Sequence, residues 1–293
     1  MSMRVPENAL RGNVMFNMAR AQTSVAKLSE QIASGKRLLE ASDDPVAFVK
    51  AKSLRGILNT NAQYQQNIGR ADDWASVGES AMASMQNVLF DAKDLAMSMA
   101  NDTVNAGQRA DMAVAVQALM DELIGLGNTQ VGGRYIFSGN KTDTPAFAAD
   151  GTYQGDSGVR SIEVGEGIRA DLNIPGDQIL ASGGALAQLT QLKAALIAND
   201  QTAIAASITP LSTAADDLSQ SRMVVGLQLN KLETRRGNLE EITFQTERLL
   251  GQQEDVDMNA AVSELVQQQN TLEVTRSVLG QIMSSPSLME FLR

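Results

Sequence analysis

The sequence predicts a mainly α fold with a small inserted β-containing domain. The expected architecture is an elongated helical bundle or coiled coil with both chain termini in its axial helices. Three observations carry this expectation. Apolar residues recur at alternating steps of three and four over long stretches at both ends. Aromatic residues make up only 4% of the 293 residues, a composition that suits long helices packed along thin seams better than a core built on rings. The clear period-two pattern falls in the middle, inside a stretch rich in Gly, Asp, Thr and Pro.

Val14, Met18, Ala21, Val25, Leu28 and Ile32 are spaced 4-3-4-3-4, a heptad seam on one continuous helix. Gly35 follows as a stop signal, because glycine tolerates the left-handed backbone that ends helices. Ser42-Asp43-Asp44-Pro45 then reads as a helix-cap turn. An Asp oxygen accepts an orphan amide proton, and Pro45 fits the first turn, where its missing N–H costs nothing. The second helix is expected over about 45–100. Its seam is formed by Ile68, Ala71, Ala75, Gly78, Met82, Met85, Leu89, Ala92, Ala96 and Met99. A polar break at 101–107 precedes a third helix carrying Met112, Val116, Leu119, Leu123 and Leu126, with Gly132 and Gly133 at its end.

Two alternating runs, Ser161–Val164 and Ile168–Ile174, flank Gly165-Glu166-Gly167 and predict a β-hairpin. Pro175-Gly176-Asp177 marks a further turn. Helix resumes near Ala185. A long seam then runs at strict 4-3 spacing from Ile204 to Leu250, with Pro210 expected to kink or interrupt its start. After Glu254-Asp255-Val256-Asp257, a last helix carries Leu265, Leu272 and Leu279 seven apart, with Ile282 beyond. Ser285-Pro286 ends it.

Composition narrows the function classes. The net charge is −10, without basic clusters, which disfavours nucleic acid and anionic membranes as partners. There is no cysteine and no histidine, so disulfides, thiolate metal sites and the commonest general base are absent from the chemistry. The first residues have no apolar core of a secretory signal, and no run is long and apolar enough for membrane insertion. Composition alone therefore reads as cytoplasmic, or as exported by a route that leaves no cleavable mark.

Candidate chemistry is thin. Asp255, Asp257 and Asn259 match the first three positions of a calcium loop, but Ala260 stands where glycine is needed and Val266 where the bidentate Glu belongs. Negative charge at a helix start explains them better. Asp43-Asp44, Asp72-Asp73 and Asp216-Asp217 are adjacent carboxylates, and neighbours on a helix point apart, so capping or solvation outweighs acid–base work. Gly125-Leu126-Gly127 and Gly165-Glu166-Gly167 complete no phosphate-binding pattern. Trp74 reads as core by its helical period. No catalytic residue, cofactor or metal is assigned.

The terminal seams offer more. Val14, Met18, Val25, Leu28 and Ile32, with Leu265, Leu272, Leu279 and Ile282, carry few rings and are interrupted by Gln268, Gln269 and Arg276. A lone helix pair of that kind is only marginally stable, because long helices depend on tertiary burial. These residues are therefore expected to form an assembly seam completed by partners.

Three stretches together resemble the flagellin superfamily. The first is Leu28-Ser29-Glu30-Gln31-Ile32-Ala33-Ser34-Gly35-Lys36-Arg37 followed by Ala41-Ser42-Asp43-Asp44-Pro45. Pro45 stands where flagellins usually carry Ala, and the variant is similar to the hook-associated branch. The second is Gly133-Arg134-Tyr135-Ile136-Phe137-Ser138-Gly139 with Pro145-Ala146-Phe147. The third runs from Asp257-Met258-Asn259-Ala260-Ala261 through Gln267-Gln268-Gln269 to Ser287-Leu288-Met289-Glu290-Phe291-Leu292.

The resemblance implies a structural, non-enzymatic subunit of the bacterial flagellum that joins hook to filament. It implies an extracellular location after export through the flagellar type III apparatus, without a cleaved signal peptide. The implied partners are a neighbouring hook-associated protein, flagellin, other copies in a ring, and an export chaperone at the C-terminal region. It also implies a terminal axial coiled-coil assembly region (1–44 plus 255–293), a helical shaft (45–133 plus 201–254) and an outer β-containing domain (134–200). Two other readings compete: the filament flagellin itself, and a soluble ligand-binding or enzymatic protein using the insertion.

Overall fold

The computed structural model describes residues 6–181 and 184–284, with side chains for 11–180 and 184–281. It is mainly helical, with two small antiparallel hairpins. The helices are α1 (Pro6–Ser34), α2 (Pro45–Met99), α3 (Ala106–Gly127), α4 (Ala185–Ile197), α5 (Gln201–Glu254) and α6 (Met258–Ser284). The strands are β1 (Gln130–Val131), β2 (Arg134–Tyr135), β3 (Ser161–Gly165) and β4 (Ile168–Asp171). The chain divides into two compact units. One holds the described residues up to Asn59 and from Thr243 onward, and the other spans Thr60–Ile242.

In the larger unit, the 4-3 patterns place the core. From Ile68 to Ala96, every predicted α2 seam residue is buried. On α5, Ile204, Leu211, Ala215, Leu218 and Val225 are buried in the cluster that also takes Met82, Met85 and Leu89 of α2. Val116 and Leu123 of α3, and Leu189, Leu192 and Leu196 of α4, complete it. The seam also carries polar pairs: Arg222 of α5 reaches Glu79 (2.6 Å) and Gln86 (2.6 Å) on α2.

The α3 start is a capping box: Asn105 Oδ1 accepts from the Gln108 N–H at 2.9 Å, and Gln108 Oε1 accepts from the Asn105 N–H at 3.1 Å. Arg109 is 5% exposed. Its guanidinium donates to the Met99 and Asn101 carbonyls and to Asn199 Oδ1, at 3.0, 3.0 and 2.6 Å. It thereby ties the α2–α3 turn to the α4–α5 turn.

The inserted segment packs through two rings. Phe147 is buried, with Tyr153 at 5.3 Å between ring centroids. Burial pushes the Tyr153 phenol up to about 12, and its hydroxyl sits 3.0 Å from the Phe137 carbonyl oxygen. Asn128 clips the Phe147 backbone on both sides, donating to its carbonyl and accepting from its N–H at 2.9 Å each. The β3–β4 hairpin lies on a second small core, where Val164 packs with Ile68, Ala71, Leu232 and Leu239. Asn67 fixes its edge by donating to the Glu163 carbonyl at 2.7 Å. Trp74 is half-buried against the main core, as its period implied, and the Arg160 guanidinium lies 4.9 Å from its ring.

Several sequence expectations are corrected. Pro210 sits inside α5 without interrupting it. Buried Ile204, Ser207, Leu211 and Ala214 surround that turn, and their burial outweighs the roughly 3 kcal/mol cost of an interior proline. The third helix ends at Gly127, and Gly132 and Gly133 instead form the turn of β1–β2, both at positive φ, as a two-residue hairpin requires. The β4 strand stops at Asp171, three residues short of the alternating run; beyond it the Leu172 N–H donates to the Arg160 carbonyl at 2.7 Å and Asn173 Oδ1 accepts from the Arg160 backbone N–H at 2.8 Å. The turn at Pro175 leads into a short π-helical segment, Asp177–Ala181, that the sequence did not announce.

Gly127 gives a test of packing against propensity. A Cβ there would lie 2.7 Å from Phe147 Cδ2. Gly127→Ala should therefore destabilise the larger unit by about 1–3 kcal/mol despite alanine's better helix propensity. Urea denaturation followed by Trp74 fluorescence will read this, and unchanged or raised stability would contradict the packing described.

Candidate assembly interface

The smaller unit gathers both predicted sequence signals, the cap turn and the terminal seams. Helix α1 stops at Gly35, whose φ is +71°. The chain then pairs with the α5–α6 connection. Arg37 N donates to the Glu254 carbonyl at 2.6 Å, and Val256 N donates to the Gly35 carbonyl at 3.0 Å. Lys36 and Asp255 face each other in an antiparallel bridge. The end of α1 is thus held beside the start of α6, and the two helices pack antiparallel.

A carboxylate anchors this junction. The Glu254 side chain is 4% exposed and receives Lys36 Nζ at 3.1 Å and Arg55 at 2.7 Å. Two cations on one buried acid satisfy the requirement that a buried charge be paired and hydrogen-bonded. The sequence reading passed over Glu254 because it saw only the end of a long seam. An acid at a helix C-terminus, against the macrodipole, was the available signal.

The cap turn assigns one task to each acid. Asp44 Oδ1 accepts from Ala47 N at 3.0 Å and caps α2. Asp43 closes the preceding loop, accepting from Leu39 N (2.9 Å) and Glu40 N (3.0 Å) through Oδ2 and from Lys27 of α1 through Oδ1. The Lys27 hydrogen bond, then the Glu40 and Leu39 amides, hold the Asp43 carboxyl at about 2. The Ala47 amide lowers Asp44 in the same direction. Ser42 donates to Glu40 at 3.1 Å, and Pro45 opens the helix. Asp257 caps α6 by accepting from Asn259 N and Ala260 N at 3.0 and 3.1 Å, the role that competed with calcium.

The described side chains of the expected seam are half-buried or buried. On α1, Ala21 is buried and Val14, Met18, Val25, Leu28 and Ile32 are half-buried. On α6, Ala261 is buried and Leu265, Leu272 and Leu279 are half-buried, with Gln268 and Thr275 continuing the row. Ile282 falls in α6, but its side chain lies outside the described residues, as does the Ser287–Leu292 stretch.

A second set of apolar residues went unread. Val262, Val266, Val274 and Val278 are 45, 51, 62 and 40% exposed on α6, and Phe16 of α1 is 68% exposed. The valines recur at multiples of four, a ridge distinct from the heptad seam, and a search for heptads passes over it. Val46 and Val49 of α2 and Phe244 of α5 are likewise more than 60% exposed. The α1–α6 pair thus leaves Phe16 and the α6 valines exposed to solvent.

Two predictions follow from this geometry. Glu254→Ala should weaken the smaller unit by about 1–2 kcal/mol, the lower end for a buried ion pair because Lys36 and Arg55 regain water. Faster hydrogen exchange at the Arg37 and Val256 amides is the readout, and unaltered protection would refute the anchor. Asp43 has a depressed pKa, so its contribution is complete above about 4 and is lost as pH falls through about 2. NMR titration should place its carboxyl midpoint near 2 and show Leu39 and Glu40 amides losing protection in that window. A midpoint near 4 would contradict the Lys27 contact.

Comparisons with known proteins identify the relatives of this chain. Residues 5–142 match the family model described as the bacterial flagellin N-terminal helical region. The chain is 30% identical to flagellar hook-associated protein 3 of Escherichia coli strain K12, over 89% of this chain and 91% of the relative. It is 28% identical to flagellar hook-associated protein 3 of Salmonella typhimurium strain LT2, over 93% of this chain and 95% of the relative. Among solved structures it resembles a flagellar hook-associated protein from Vibrio parahaemolyticus, with a TM-score of 0.68 and 26% identity, covering 73% of this chain and all of that one. With an identity of 30% sustained across nearly both full lengths, the chain belongs to the flagellar hook-associated protein 3 family of flagellin-like proteins.

Proposed function

We propose that this chain is a structural subunit of the bacterial flagellum that joins the hook to the flagellin filament, and that it does so without catalysis. Its family membership supports the station, and the exposed apolar surface of its terminal helices supports the means. In this reading residues 1–44 and 255–293 form an axial assembly region, 45–133 and 201–254 a shaft, and 134–200 an outward-facing insertion. The terminal pair packs on a neighbouring hook-associated protein on one side and on flagellin on the other, with further copies completing a ring. The subunit leaves the cell through the flagellar type III apparatus without a cleaved signal, and an export chaperone engages its C-terminal region.

The carrying observation is that α1 and α6 are packed against each other and still expose an apolar ridge. Burial of that ridge drives association at roughly 25 cal/mol per Å² of apolar surface removed from water. Helical seams then carry load from one lattice to the next.

Two substitutions separate the inner seam from the outer ridge. Leu272→Asp places a carboxylate in the α1–α6 seam, and Val274→Asp places one on the exposed ridge. Both should abolish incorporation, while only Leu272→Asp should loosen the helix pair. Immunogold labelling of detached flagella with antibody against 134–200 is the readout. The native chain should give a single band between hook and filament, and both variants should lose it. Label along the whole filament would identify a flagellin instead, and normal incorporation of Val274→Asp would sink the ridge as the docking surface.

A further inference from the structure

The larger unit carries two surfaces that its own folding does not explain. The first is on α3. Gly107, Asp111, Val114, Ala118, Asp121 and Gly125 repeat at 4-3-4-3-4, and all six are exposed. This spacing belongs to a helix seam, yet here it faces solvent. Val114 is 72% exposed, more than any other large apolar residue among the described residues. Small residues flank it, so another backbone can approach closely, and Asp111, Asp121 and Glu122 make the row acidic. Asp121 accepts only from Gln117, at 2.7 Å, and the three acids form no ion pair among the described residues.

The second surface is an open groove of about 680 Å³ between the β3–β4 hairpin and α5. Its apolar walls include Ile168, Val224 and Leu227, which are 38, 56 and 56% exposed. Its charges are Arg169, Lys231 and Arg235 against a single acid, Asp171. In a chain of net charge −10, that is a local reversal of sign. The three cations form no ion pair among the described residues, and Arg169 spends its donors on Ser161.

We propose that this groove receives the acidic α3 row of a second copy of the same chain. The two surfaces match in kind. An apolar, cationic channel faces an apolar, acidic helix with small residues where the backbones must approach. Complementary potentials fix orientation and speed encounter more than they add affinity. Groove and row are different patches, so a head-to-tail contact leaves one of each free and propagates from copy to copy until the rotation closes. The inference rests on the ring reading above and specifies which surfaces meet in it.

The absence of native cysteine permits a direct test with the full chain. Val114→Cys and Leu227→Cys variants are mixed and oxidised, with Val159→Cys, also half exposed but outside both surfaces, replacing Leu227→Cys as the control. The Val114–Leu227 pair should form a disulfide-linked dimer at least about tenfold faster than the control, and high salt should narrow the gap. Adding Lys231→Glu and Arg235→Glu to the groove partner should abolish that advantage. Adding Asp121→Lys and Glu122→Lys to the row partner should then restore it. Cross-linking no faster than the control, or indifferent to both charge reversals, would overturn the proposal. A junction band in cells alongside such a negative result would leave the station standing and refute this contact. Specific cross-linking without a junction band would uphold the contact and refute the station.

Discussion

Each long helix of this protein can bury only a narrow stripe, and the rest of the structure depends on that constraint. With aromatic residues at 4% of the chain, few side chains are large enough to organise a broad core from one helix face. Stability comes from length and register instead, as alanine, methionine and leucine at 4-3 spacing bring the helices close. In the larger unit four helices share their stripes and complete a core. In the smaller unit α1 and α6 have mainly each other, and their stripes remain half-buried. The same rule yields a finished core in one place and an unfinished one in the other.

The turns of the smaller unit compensate with polar contacts in fixed geometry. Glu254 holds Lys36 and Arg55, while the backbones of Arg37 and Val256 pair across the two connections. Asp43 and Asp44 divide the neighbouring turn between loop closure and helix capping. None of these contacts supplies much apolar burial. Their effect is to set the end of α1 against the start of α6, so that the heptad rows meet in register.

Much of this was legible in the sequence. The α2 and α5 seams, the stop at Gly35, the cap at Asp44 and the β3–β4 hairpin follow from local periodicity and local chemistry, and Val14, Met18, Val25, Leu28, Ile32, Leu265, Leu272 and Leu279 lie on the paired faces. Part of what escaped depends on contacts distant in the chain, and part on local patterns too short or of another period. The role of Glu254 needs Lys36, 218 residues away. The tolerance of Pro210 needs the tertiary burial around it, which outweighs a local penalty. The β1–β2 hairpin has only two residues per strand, too few to show an alternation. The valine ridge of α6 has a step of four, and a search tuned to heptads does not find it.

Arg109 gives the molecule an asymmetry toward acid. Its buried guanidinium is held by two carbonyls and one side-chain amide, none of which titrates in the accessible pH range. The contacts Arg109 makes across the α2–α3 and α4–α5 turns are therefore insensitive to acid, although Gln201 also donates across that joint to the Asp102 carboxylate. The loop ahead of α2 is instead closed through the Asp43 carboxylate, which Lys27 and the Glu40 and Leu39 amides hold in its charged form. Protonating Asp43 removes the acceptor that closes this loop, while the contacts of Arg109 stay made. Strong acid is thus felt first at the connection between α1 and α2, and not at the fastening that Arg109 gives the larger unit.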